Sequence, residues 1–408
     1  MSRATVVIAR VVQMLPAPVR RAVVGLVHAL PTGLTERVRA LVARRPYVPP
    51  PPPVEPPDAP VRLFIGPANY AGQAWAWARA VEAHRPDAGA RNLAVSGGFG
   101  FPADRVVPKT VVASLPWQRR QRAAIERFTH VLIEAELALL PRPGEGVAEE
   151  IAMLRRHGIR VGTLCHGSDI RLPSEHARRD RWSPFRDGDY PGQGQLEELV
   201  RRNRSLLTEL RAGGIPAFVS TPDLLIDVPW ATWLPVVIDV DEWSGADEPL
   251  RRPVPVVVHA PSRATIKGTD LVEPVLDALA AEGRIEYRAA RGLDRAGMRA
   301  LYGDADIVLD QFRLGIYGVA TCEALAAGRV VVSHVAEQSR AAAASAARID
   351  LPVLEATGDT LREVLLGVLA DREAARETAA IGPRFVRSLH DGRASAAALS
   401  RFLDSNDG

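Results

Sequence analysis

Cysteine is nearly absent: Cys165 and Cys322 are the only two among 408 residues, and each falls in an apolar stretch. A disulfide framework is therefore excluded, packing is the expected role of both thiols, and a reducing compartment fits. No segment reaches the roughly 20 uninterrupted apolar residues that a membrane span needs. A leader peptide is not expected, because Arg3, Arg10, Arg20 and Arg21 break every apolar run near the start. GxSxG, CxxC and HExxH are all missing, which leaves the common hydrolase and zinc readings without support. Acidic residues are scarce in the first 45 positions, where eight arginines face Glu36 alone, although the whole chain carries a net charge of only +3. The balanced remainder argues against a nucleic-acid partner.

What is present is an ordinary globular composition, 47% apolar and 24% charged, over a length that calls for two cores. Residues 1–45 alternate apolar and basic positions at helical spacing, with breaks at Pro16, Pro18 and Pro31. Such an amphipathic arm fits either an anionic membrane surface or a helical appendage packed on the body with its arginines outward. Residues 46–60 are proline-rich and read as a stiff spacer.

From residue 61 onward, short apolar strands alternate with helix-period stretches, which implies parallel sheets. A first domain over 61–240 takes strands at 61–65, 91–95, 130–133, 159–164 and 217–219, and one near Trp233. The stretch 172–195 reads as a long irregular excursion, either a lid over a ligand or an insertion. A hinge is expected near 239–253. A second domain over 254–385 takes strands at 254–258, 285–287, 307–309 and 330–332 and one near Val353, and terminal helices follow to about residue 403.

Ionisable residues bunch where strands end, the edge at which open α/β sheets bind ligands. After the strand ending near Cys165 comes HGSDIR, in which His166 and Asp169 are the candidate catalytic residues. Ser262, Arg263 and Lys267 occupy the first strand-to-helix loop of the second domain, where two fixed cations can neutralise a diphosphate. Asp310, Gln311 and Arg313 crowd the loop after residues 307–309. A helix starting at Gly318 then offers free backbone N–H groups to an anion, with Glu323 just over one turn further in. The turn GPANYAGQ lacks GxGxxG spacing, so hydride transfer has little support. Three D-x-D pairs, Asp187/Asp189, Asp239/Asp241 and Asp304/Asp306, stand away from strand ends suited to a sugar-nucleotide metal.

The segment ending YGVATCEALAAGRVVV resembles the donor signature E-x7-E of retaining, glycogen-synthase-like GT-B glycosyltransferases (family 4, group 1). The likeness extends to Lys267-Gly268, which matches the family's KG, and to His166. It implies an α/β GT-B fold: two Rossmann-like domains with parallel sheets facing a central cleft, here with an N-terminal helical arm. It also implies that the last helix, within 386–408, crosses back to the first domain. Glu323 matches the second glutamate, which holds the nucleotide ribose. The first glutamate is missing, its register falling on Gly315, so Asp310 or Gln311 is expected to serve the donor sugar. Gly315, Tyr317, Gly318 and Val319 complete the implied donor loop, and Gly66, Asn69 and Gly72 the first-domain loop.

The activity so implied is hexosyl transfer from a nucleotide sugar to a glycan or lipid-linked acceptor, as in cell-envelope polysaccharide synthesis. Retention and no required metal or other cofactor are expected, in a cytoplasmic protein peripheral to the inner membrane face if the arm binds lipid. The other reading is an inactive GT-B protein that binds sugar nucleotides or is recruited to a membrane.

Overall fold

The computed structural model describes residues 18, 19, 22, 26, 29–43, 47–95, 100–142, 145–245 and 247–404. Its first domain is built on seven strands: β1 (Val61–Gly66), β2 (Ala88–Val95), β3 (Arg105–Val107), β4 (His130–Glu134), β5 (Arg160–Cys165), β6 (Ala217–Val219) and β7 (Thr232–Trp233). They lie in the order β3-β2-β1-β4-β5-β6-β7, and every pairing is parallel. The second domain holds β8 (Val256–His259), β9 (Glu286–Ala289), β10 (Ile307–Leu309), β11 (Val330–Ser333) and β12 (Val353–Glu355), also all parallel, in the order β12-β11-β10-β8-β9.

Valine-rich runs such as Val256–Val258 and Val330–Val332 are buried throughout, as strands covered by helices on both faces must be. In each sheet the strand order reverses beside the first strand, between β1 and β4 and between β8 and β10. The carboxyl ends of those pairs open the crevices where such sheets take ligands. This is the two-domain GT-B architecture expected of the chain.

The domains are joined more than once. The connection after β7 runs through Pro235, Val236 and Val237, whose carbonyls accept hydrogen bonds from Trp77, His390 and Gln73 in turn. It then forms the short helix Val240–Trp243, capped by Asp239 through the amides of Asp241 and Glu242. After the helix Arg372–Leu389 the chain returns to the first domain as the helix Arg393–Asp404. There Leu399, Phe402 and Leu403 join Leu63, Ile65, Trp77 and Phe218 in one core cluster. The Phe402 ring meets His130 and Phe218 edge-on, and Gly162 leaves it room.

Two stretches differ from their sequence reading. The proline-rich residues are no free spacer. The Pro51 carbonyl accepts the Trp117 indole N–H, Val54 is buried with its amide on Gln121, and Pro57 packs where a side chain at Gly89 would stand. Proline carries no N–H to satisfy, so an extended proline run can lie on a domain without a sheet partner. The excursion after β5 is ordered and begins with the helix Pro173–Arg179.

Of the arm, the helix Thr32–Ala43 is described, and most of residues 1–28 lie outside the described set. This helix faces the body with Thr32, whose hydroxyl lies 2.6 Å from that of Ser114. Leu34, Val38 and Leu41, spaced as one helical face, are exposed.

Phe402→Ala should lower the stability of the chain by about 3 kcal/mol, the cost of emptying a well-packed aromatic site. Urea unfolding followed by tryptophan fluorescence measures it. A loss below about 1 kcal/mol would mean that the last helix rests on the surface of the first domain.

Candidate active site at the interdomain cleft

The first-domain crevice is organised by Glu134, the fully buried last residue of β4. One carboxylate oxygen accepts the amides of Ala68 and Asn69, each at 2.9 Å, and the other lies 3.1 Å from His166 Nε2. The loop after β1 and the loop after β5 therefore hang on one group. The His166 ring is stacked on Trp77 at 5.9 Å and crossed at a right angle by Tyr70 at 5.0 Å, which leaves 9% of its side chain exposed.

Behind it, Asp169 accepts the amides of His166 at 2.7 Å and Gly167 at 2.5 Å. Expected as catalytic, Asp169 is instead buried with both oxygens on backbone, and it shapes the HGSD turn. Cys165 donates to Glu136, which burial first and the nearby Asp169 second push well above the carboxylate range. Of the loop glycines and asparagine, Gly72 takes φ +75° against Phe101 and Gly66 sits against the Leu93 carbonyl. The Asn69 side chain accepts from Trp75 N and donates to the Pro102 carbonyl, so it builds the loop and the helix Gln73–His84.

The second-domain crevice turns on Asp310, at the end of β10. Its carboxylate pairs with Lys267 and accepts the Thr321 hydroxyl at 2.6 Å. Burial alone would raise Asp310, but the ammonium and these hydrogen bonds hold it below its ordinary value. One carboxylate thus ties the loop after β8, through Lys267, to the first turn of the helix Val319–Ala326. Gly318 precedes that helix with open space where a side chain would project. Gly268, at φ +77°, lets Lys267 turn inward, since a Cβ there would stand 3.0 Å from Phe312. Arg263 is exposed in the same loop, and Val319 is half-buried. His259, beneath them, lies between the Leu309 carbonyl and the Thr269 hydroxyl.

Several donor-loop expectations do not survive the geometry. Asp310 is committed to Lys267 and Thr321. Gln311 is buried, and its side-chain oxygen accepts the amides of Arg313 and Leu314, so that oxygen, like the Asp310 carboxylate, is committed to the protein. Tyr317 is a core residue, 2% exposed, with its hydroxyl 3.3 Å from His390 Nε2. Gly315 has φ +63°, and a Cβ there would stand 3.1 Å from both Ala336 Cβ and Asp180 Oδ2. A glutamate at that position would be strained and crowded at once, which accounts for its absence.

Asp180 belongs to the other domain. The excursion after β5 crosses the cleft and docks on the carboxyl edge of β10 to β12. His176 approaches the Leu314 carbonyl at 3.4 Å, Trp182 packs on Gly358, and Arg181 pairs with Asp359. His334 stands between Asp180 at 3.6 Å and Glu355 at 2.6 Å. Burial would lower His334, but the two carboxylates overcome it and carry the imidazole to about 9.

On the hinge side a cavity of about 400 Å³ is shared by the domains, with Trp75 and Arg79 on one wall and Glu323 and Arg295 on the other. Burial, partly offset by Arg295, raises the Glu323 carboxyl to about 8. Glu134, Tyr70, Asp180 and His334 were not singled out in the sequence. Glu134 carries a readable signal, an ionisable residue closing the buried run His130–Ile133, of the kind that marked HGSDIR. Asp180 and His334 carry none, since they meet only across the cleft.

The sign of the Glu323 shift gives a pH test. A carboxyl raised on folding from about 4.5 to about 8 adds stability that is fully present below 4.5 and is lost as pH rises to 8. The difference in urea midpoint between parent and Glu323→Gln should therefore change steadily over that window and stay flat above it. A pH-independent difference would place the carboxyl in solvent.

No protein-family model matches the sequence, and no curated protein does. Solved structures do match. HepE of Anabaena, in complex with UDP and glucose, superposes with a TM-score of 0.53 at 12% identity, over 84% of this chain and 99% of that one. A glycosyltransferase from Rickettsia africae gives 0.50 at 9% identity, over 84% and 98%. At these identities the likeness speaks for the fold, and the fold is GT-B.

Proposed function

We propose that this protein transfers a sugar from a nucleotide-sugar donor to a hydroxyl of a glycan or lipid-linked acceptor, in cell-envelope polysaccharide synthesis. The observation that carries the reading is that Asp310 pairs with Lys267 and accepts from Thr321 at once, which brings the Lys267 ammonium beside the open amino end of the helix Val319–Ala326. A cation and a helix N-terminus together stabilise the charge that develops on a departing diphosphate. Arg263 adds a second cation, so the charge is met without a metal ion. Glu323 lines the adjoining cavity, where its carboxyl can hold ribose hydroxyls. His166 faces the transferred sugar from the other domain, with transfer proceeding by retention. The HepE structure holds UDP and glucose, and UDP-glucose is accordingly the first donor to try.

Lys267 should contribute to donor and product binding alike. Because Lys267→Gln alone would strand a buried carboxylate, the informative variant is the pair Lys267→Gln and Asp310→Asn. Its affinity for UDP-glucose and for UDP should fall by about 2 kcal/mol, roughly thirtyfold, in calorimetric titration. Unchanged affinities would put the diphosphate elsewhere. One observation favours the second reading, a sugar-nucleotide-binding protein without turnover: the left-handed, enclosed Gly315 leaves no room for the missing acid. Donor binding without product or donor hydrolysis would select it.

The arm belongs at an anionic membrane surface in this proposal. Leu34, Val38 and Leu41 form an exposed apolar face in a region with eight arginines against one acid. Juxtamembrane cations contribute about 1 kcal/mol each. The full chain should sediment with phosphatidylserine vesicles and be released by high salt. Replacing the three apolar residues with serine should abolish sedimentation, and equal pelleting of both proteins would exclude the arm.

A further inference from the structure

Backbone strain in this protein gathers at one place. Among the described residues six non-glycine positions have positive φ, and four of them, Asn69, Ala71, Ala135 and Glu136, lie at the carboxyl ends of β1 and β4. Each is strained, and such residues persist only where surrounding structure over-determines them. Two of the four bracket Tyr70, with Asn69 and Ala71 both at φ 50°.

The Tyr70 ring is large, aromatic and 49% exposed at the cleft, yet it is not loose. His166 crosses it at 87°, Glu134 fixes His166, and the same carboxylate holds the amide of Asn69, the residue before Tyr70. Burial first, then Asp169 and Glu134, raise the Tyr70 hydroxyl, and Arg263 of the opposite domain acts against them. The ring thus stands over the carboxyl ends of β1 and β5, held against His166.

We infer that Tyr70 is a sugar-binding platform: its ring packs against the apolar C–H face of a pyranose, and its polar tip meets the hydroxyls at the ring's edge. This rests on the glycosyl-transfer reading above and adds the residue that grips the sugar. An aromatic side chain held rigid at a cleft supplies contact area without the entropy cost of ordering a flexible one. It suits a ligand that is apolar on one face and polar at its rim, because the acids beside it, Glu134 and Asp169, are already paired with backbone and His166. Under this assignment Glu134 acts on the sugar through Tyr70 and His166, as a positioning residue. The pyranose is either the one being transferred or that of the acceptor, and the two are separable.

The test compares the parent, Tyr70→Ala and Tyr70→Phe, with matching far-ultraviolet spectra as the check of folding. UDP-glucose and UDP are titrated calorimetrically, and maltotriose is followed by saturation-transfer difference spectroscopy. If the platform holds the transferred sugar, Tyr70→Ala should lose about tenfold in affinity for UDP-glucose and keep its affinity for UDP. Tyr70→Phe should stay within about twofold of the parent, since the ring remains. If the platform holds the acceptor, UDP-glucose binding is unchanged and the maltotriose signal disappears in Tyr70→Ala and persists in Tyr70→Phe. Parent-like binding of all three ligands by Tyr70→Ala overturns the inference and leaves glycosyl transfer standing. Failure of the parent to bind any of them overturns both.

Discussion

The Glu134 carboxylate is the constraint on which the first domain's working edge depends. A buried carboxylate is tolerated only when its lone pairs are met, and here they are met by the amides of Ala68 and Asn69 and by His166. The dependence runs both ways. Without the carboxylate, the buried Asn69 amide, the half-buried Ala68 amide and an imidazole lose their partner, at up to about 1–3 kcal/mol for the buried donor. The loop after β1 would then have no reason to keep Asn69 and Ala71 in left-handed conformations, and the Tyr70 ring would have no fixed direction.

The second domain solves the same problem with the opposite inventory. Asp310 is also a buried acid at the end of a strand beside the switch point, but its partner is a cation. The chain's choice of cation is informative. Of its 51 basic residues only Lys109 and Lys267 are lysine. A compact ammonium fits against Asp310 with donors left to turn toward an anion, whereas a planar guanidinium would use its fork on the carboxylate. Facing edges of opposite character, acids on one side and cations with a helix amino end on the other, suit a ligand that is neutral at one end and anionic at the other.

Much of the fold was legible because parallel strands buried on both faces announce themselves as short valine-rich runs. Ile307–Leu309 and Val330–Val332 needed nothing else. The sites were legible where polar residues follow such runs immediately, as at His166 and Asp310, but the roles of those residues were not. Whether a polar group faces a ligand or a neighbour is decided by packing, and the carboxylates of Asp169 and Asp310 and the side-chain oxygen of Gln311 all proved to face neighbours. β3 was missed because three residues beside a loop carry no periodicity, and the excursion after β5 was misread as irregular. Its order comes from contacts such as His176 with Leu314 and Asp180 with His334, between residues far apart in the chain.

The helix Arg393–Asp404 sets a timetable. It is made long after the rest of the first domain, yet Leu399, Phe402 and Leu403 complete a core whose other members precede residue 235. At the usual rate of synthesis the intervening domain takes roughly 10–30 s to emerge. Through that interval the first domain must wait with Trp77, Phe218 and Leu234 partly uncovered. The nascent chain is then a natural client for a chaperone that masks apolar surface, and its first domain reaches its final packing only after the second has emerged.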